Sequence, residues 1–72
     1  MTDIHTEQLQ DGYGRTWFRL VCDPDPKVVR AIKKVPSHSR RFDQATGTWI
    51  VQAAGISRIR GILTDAGHRL LL

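Results

Sequence analysis

Residues 40–51, Arg40-Arg41-Phe42-Asp43-Gln44-Ala45-Thr46-Gly47-Thr48-Trp49-Ile50-Val51, decide how the rest of the chain is arranged. Two short runs of strand-forming residues flank a polar turn that contains glycine, which is the pattern of a β-hairpin. Asp43 can bond its own backbone as the chain enters the turn, and Gly47 can take positive φ as it leaves. Pairing Asp43 with Thr48 sets Phe42 opposite Trp49 and Arg41 opposite Ile50. Side chains alternate across a strand, so Arg40, Phe42, Trp49 and Val51 share one face. Arg41, Ile50 and Gln52 share the other. The two adjacent arginines are thereby sent to opposite faces of one strand.

Toward the N-terminus, Arg15 to Cys22 alternates as a strand. Phe18, Leu20 and Cys22 point to the expected core; Trp17, Arg19 and Val21 point away. Asp23-Pro24-Asp25-Pro26 ends that strand and starts a helix, with Asp25 as N-cap and Pro26 in the first helical position. Val28, Ala31, Ile32 and Val35 recur at helical spacing, and Lys27, Arg30, Lys33 and Lys34 fall away from that stripe. Pro36 stops the helix, and Ser37-His38-Ser39 lead into the hairpin.

Toward the C-terminus, Gln52-Ala53-Ala54-Gly55 reads as a turn and a second helix follows from about Ile56 to Ala66. Its apolar side is Ile56, Ile59, Ile62, Leu63 and Ala66. Gly61 inside it costs roughly 1 kcal/mol relative to alanine, which suggests a close approach of helix to sheet. Gly67 suits a left-handed C-cap, and His68–Leu72 reads as a last strand. Residues 1–14 are expected to be a flexible arm or an edge strand. Asp11-Gly12 is nonetheless a turn dipeptide that would join a 4–10 strand to a 13–22 strand.

Residues 15–72 then form one small α+β domain of order β-α-β-β-α-β. Two amphipathic helices need a shared apolar surface, and one face of a sheet supplies it. The expected architecture is a four-stranded antiparallel or mixed sheet with both helices on one face, the ferredoxin-like split βαβ. Its core is expected to hold Phe18, Leu20, Val28, Ile32, Phe42, Trp49, Val51, Ile59 and Leu63. The other face stays open.

A chain of 72 residues buries only a modest core. Cys22 is the sole cysteine, which rules out an intramolecular disulfide and points to a cytoplasmic protein. The same residue reads as a small apolar strand residue. No apolar run is long enough to span a bilayer, and the acidic, polar N-terminus is unlike a signal peptide. His5, His38 and His68 are scattered and show no metal-ligand spacing. His38 stands between two serines without an orienting carboxylate. No acids are paired for general acid–base work. The expectation is a protein that is no enzyme and holds no metal or cofactor.

Charge is uneven along the chain. Residues 1–25 carry five acids and two bases, a net of −3, whereas residues 26–64 carry eight bases and one acid, a net of +7. Clustering of this kind favours phosphate or an acidic partner over a merely solvated surface.

From Phe18 to Leu63 the chain resembles the HARP domain, the small module that precedes the motor of annealing helicases, and related modules of bacterial and viral helicases. The likeness lies in Phe18-x-Leu20, Ile32-Lys33-Lys34-Val35-Pro36, Arg41-Phe42-Asp43, Gly47-x-Trp49-x-Val51 and the closing helix. The resemblance implies binding of DNA with mixed single- and double-stranded character, such as forks. These 72 residues hold no Gly-x-x-x-x-Gly-Lys loop, so only the binding role carries over, to Lys33, Lys34, Arg40 and Arg41.

Two candidate surfaces follow. Lys33, Lys34, Arg40 and Arg41 crowd a helix end and the loop after it, where cations give salt-dependent, sequence-tolerant phosphate binding. Trp17, Arg19 and Arg41 share the open sheet face, where an aromatic flanked by guanidinium groups can stack a base. The first reading is therefore a nucleic-acid-binding module for single-stranded or forked DNA with little sequence preference. The alternative is a module that docks on a partner protein through the open face. A monomer or weak homodimer, free of any membrane, is expected in either case.

Overall fold

Residues 2–10 give the sheet its shape, pairing on one side along residues 2–5 and on the other along residues 5–10. The computed structural model describes residues 2–22 and 25–72, with Thr2 described for its backbone only; Asp23 and Pro24 of the expected turn lie outside the described residues. Strands β1 (Thr2–Gln10), β2 (Thr16–Val21), β3 (Arg40–Asp43), β4 (Thr48–Gln52) and β5 (His68–Leu71) form one mixed sheet in the order β3-β4-β2-β1-β5. Helices α1 (Pro26–Ile32) and α2 (Ala53–Asp65) pack on one face of it. Pairing is antiparallel except between β1 and β5, which run parallel. With β1 set aside, the remaining order and strand directions are those of a split βαβ sheet.

The expectation for residues 1–14 is corrected here. β1 is an interior strand, not an arm or an edge. It lies between β2 and β5, with Ile4 fully buried opposite Leu70. The strand is held by its ladders, Thr2–His5 with β5 and His5–Gln10 with β2, and Thr6 Oγ1 donates to the Leu71 carbonyl at 2.7 Å. The turn after it is built by Asp11, whose Oδ1 accepts from the Tyr13 and Arg15 backbone N–H groups.

The hairpin has the expected register, with Asp43 opposite Thr48, Phe42 opposite Trp49 and Arg41 opposite Ile50. Gly47 closes its turn at φ 68°. The first helix is also as read: Asp25 Oδ1 accepts the Lys27 N–H at 2.8 Å, and Pro26 opens the helix. α2 begins earlier than expected. The backbone passes from β4 straight into the helix at Ala53, without the turn read at 52–55.

The core joins Ile4, Leu20, Val51 and Leu70 from the sheet to Val28, Ala31, Ile32, Ile56, Ile59 and Leu63 from the helices, with Val35 between them. Phe18 and Trp49 pack against it half-buried. Phe42 departs from the expected core and is 46% exposed, because β3 is an edge strand with a neighbour on one side only. The tight helix approach is at Gly55, not Gly61. A Cβ on Gly55 would come within 2.8 Å of Val35 and 2.9 Å of Val51, whereas nothing approaches Gly61.

Candidate nucleic-acid interface

Strand alternation separates the six candidate residues into two groups. Arg40 stands on the helix side of β3 and Arg41 on the open side. At the end of α1 the chain makes a tight turn, in which the Lys33 and Lys34 N–H groups donate to the Val29 and Ala31 carbonyls. A short 3-10 turn, Ser37–Ser39, then delivers the backbone to Arg40. The Arg40 Nε donates back to the Val35 carbonyl at 3.0 Å, which ties the edge strand to the segment carrying the lysines. Lys33 and Lys34 are exposed and Arg40 is half-buried. Among the described residues, no carboxylate lies within salt-bridge distance of Lys33, Lys34, Arg40 or Arg41. Three cations thus gather at one corner, and among the described residues none of them has a salt-bridge partner.

On the open face Arg19 and Trp17 already have partners. Arg19 lies 3.3 Å from Asp43 and 3.7 Å from Glu7, with its side chain largely covered. Trp17 is only 8% exposed; its Nε1 donates to Asp11 Oδ2 at 2.9 Å, and the Arg41 guanidinium covers its ring at 5.4 Å. Ile50, opposite both Arg19 and Arg41, is 4% exposed beneath these side chains. The indole therefore offers little free ring to a base, and Arg41 is an exposed cation of this face, as is Arg69, which pairs with Asp3. The Asp11 carboxyl is held below the ordinary aspartate value. The Trp17 indole N–H is the main cause, followed by the Arg15 N–H, while partial desolvation opposes them.

Two partners escaped the sequence reading. Asp43 appears there as a turn residue, but its Oδ2 also reaches Arg19 across β4 while Oδ1 accepts the Ala45 N–H. Asp11 appears as half of a turn dipeptide, yet it anchors Trp17. In each case the signal is a short acid at a turn beside a strand whose outward face carries a donor. Reading it needs the strand neighbours.

Among the described residues, no group of three or more His, Cys, Asp or Glu side chains could hold a metal ion. No helix is long and apolar enough to cross a membrane. No protein-family model matches the chain, and comparison with curated proteins and with solved structures finds nothing significantly similar.

Proposed function

We propose that this chain is a non-catalytic module that binds single-stranded or forked DNA, in a cytoplasmic setting, with little sequence preference. The observation that carries the reading is the cation corner of Lys33, Lys34 and Arg40, without a salt-bridge partner among the described residues, with Arg41 on the reverse of the same strand. Free cations on a defined edge attract phosphate and release counterions on binding, without reading bases. The likeness to the HARP domain agrees with this role. Docking of a protein on the open face has less support, because Trp17 and Ile50 are buried there and Val21 is its exposed large apolar residue.

The test replaces Lys33 and Lys34 together by alanine, since neither side chain packs in the core. Affinity for duplex, single-stranded and forked DNA is measured at several salt concentrations. Loss of two phosphate contacts lowers the duplex salt slope by about 1.8 units. A wild-type chain that binds no DNA at low salt, or a double variant with an unchanged slope, rejects the reading.

A further inference from the structure

Between α1 and the β3–β4 hairpin lies a cleft of about 180 Å³. Val28, Val29 and Ile32 form its helix wall, Leu20 its floor, and Phe42 and Trp49 its hairpin wall. The two rings meet edge to face, with centroids 5.2 Å apart and planes at 62°. Phe42 remains 46% exposed. An exposed aromatic at the mouth of an apolar cleft has ring surface to offer, which Trp17 lacks.

Asp25 is the charged residue in the cleft's lining, and the nearest cation on β3 lies just outside it. Asp25, Gly47 and Thr48 line the end beside the hairpin turn. Asp25 is no free anion there: Oδ1 accepts the Lys27 N–H and Oδ2 lies 3.2 Å from His68 Nε2. Outside the lining, Arg40 comes two residues before Phe42 on the same face of β3 and is bonded to the backbone just after Lys33 and Lys34. The strand rise puts Arg40 and Phe42 about 7 Å apart, close to the reach from a base to its own phosphate. The ligand this suits is planar and apolar at one end and anionic at the other. The volume is of the order that one ring system takes.

We propose that this cleft takes one unpaired nucleobase of a single strand, stacked on Phe42, with the adjoining phosphates on Arg40, Lys33 and Lys34. The inference rests on the nucleic-acid reading and narrows it. Preference for single-stranded character comes from the cleft, and the stacking aromatic is Phe42 in place of Trp17. Duplex DNA uses the cations alone.

The experiment compares the full chain with Phe42→Ala, Phe42→Leu and Phe42→Tyr on an oligothymidylate strand and on a duplex. Loss of one stacked base weakens single-strand binding by about 5- to 150-fold, while duplex affinity stays within about twofold because its phosphate contacts remain. Phe42→Leu keeps an apolar side chain against Trp49 and shows the same selective loss, so it decides the matter if Phe42→Ala does not fold. Phe42→Tyr retains binding. If Phe42→Leu binds the single strand as wild type does while the Lys33, Lys34 double variant is impaired, the cleft inference falls and the phosphate reading stands. If wild type binds neither DNA at low salt, both fall. A dimer seen in sedimentation and abolished by Phe42→Leu, with single-strand affinity unchanged, assigns the cleft to a second copy of the chain and also overturns the inference.

Discussion

The Arg41 guanidinium carbon lies 5.4 Å from the centre of the Trp17 ring, over the sheet face that carries no helix. This contact and the hydrogen bond to Asp11 turn an outward-pointing tryptophan into a buried one. Trp17→Ala should therefore destabilise the fold by about 3 kcal/mol, the lower end for a buried large aromatic. Urea unfolding measures this. A loss below about 0.5 kcal/mol, the range of ordinary surface substitutions, would show that Trp17 is a free surface side chain and return it to candidacy as a stacking platform.

Asp11 should make stability depend on pH in a defined direction. Its folded-state pKa lies below the ordinary value of 3.8, chiefly through the Trp17 N–H. The unfolded chain thus binds the proton more readily, so the Asp11 contribution is full above the unfolded pKa and is lost as pH falls through the folded one. Comparison of wild type with Asp11→Ala by denaturant titration isolates it. The stability gap should be constant near neutrality and close below about pH 4. A gap that is unchanged down to the acid end contradicts the assignment.

The two glycines of α2 should respond oppositely to alanine. Gly61 has open space around it, so Gly61→Ala should stabilise by up to about 1 kcal/mol through helix propensity. At Gly55 the new methyl meets Val35 at 2.8 Å and Val51 at 2.9 Å, and overpacking of this kind costs about 1–3 kcal/mol. Thermal denaturation of the two variants orders them. Equal shifts would mean that α2 does not lie this close to the sheet at its N-terminus.

Arg40 should prove structural as well as cationic. Arg40→Ala removes the half-buried donor to the Val35 carbonyl and should cost about 0.5–1.5 kcal/mol. The exposed, unpaired Lys34→Ala should stay within about 0.5 kcal/mol. Urea midpoints distinguish them. For that reason the lysine pair gives the cleaner test of phosphate binding, and equal midpoints for the two variants would remove the argument for preferring it.

Much of this fold is written locally. Asp25-Pro26 can start a helix because cap and first-turn requirements involve only neighbouring residues, and Asp43 to Gly47 can turn for the same reason. Once that turn is set, its length fixes the register from Arg40 to Val51, and alternation sends Arg40 and Arg41 to opposite faces. The helical stripe Val28, Ala31, Ile32 and the pair Ile59, Leu63 were legible as core because period and apolarity agree.

What tertiary structure alone decided was who stands beside whom. Among its described side chains β1 has one that is fully buried, Ile4, and it owes its interior place to a hairpin ladder with β2 and to a parallel ladder with β5, a partner distant in sequence. Phe42 has the pattern of a core residue, but β3 lies at the sheet edge and leaves it half in solvent at the mouth of a cleft. Trp17 has the pattern of an exposed residue, yet Asp11 and Arg41, brought to it from a turn and from another strand, cover it. Periodicity reports which way a side chain points from its own backbone. Whether that direction leads to solvent depends on strand order and on side chains from other segments, which no local window of sequence contains.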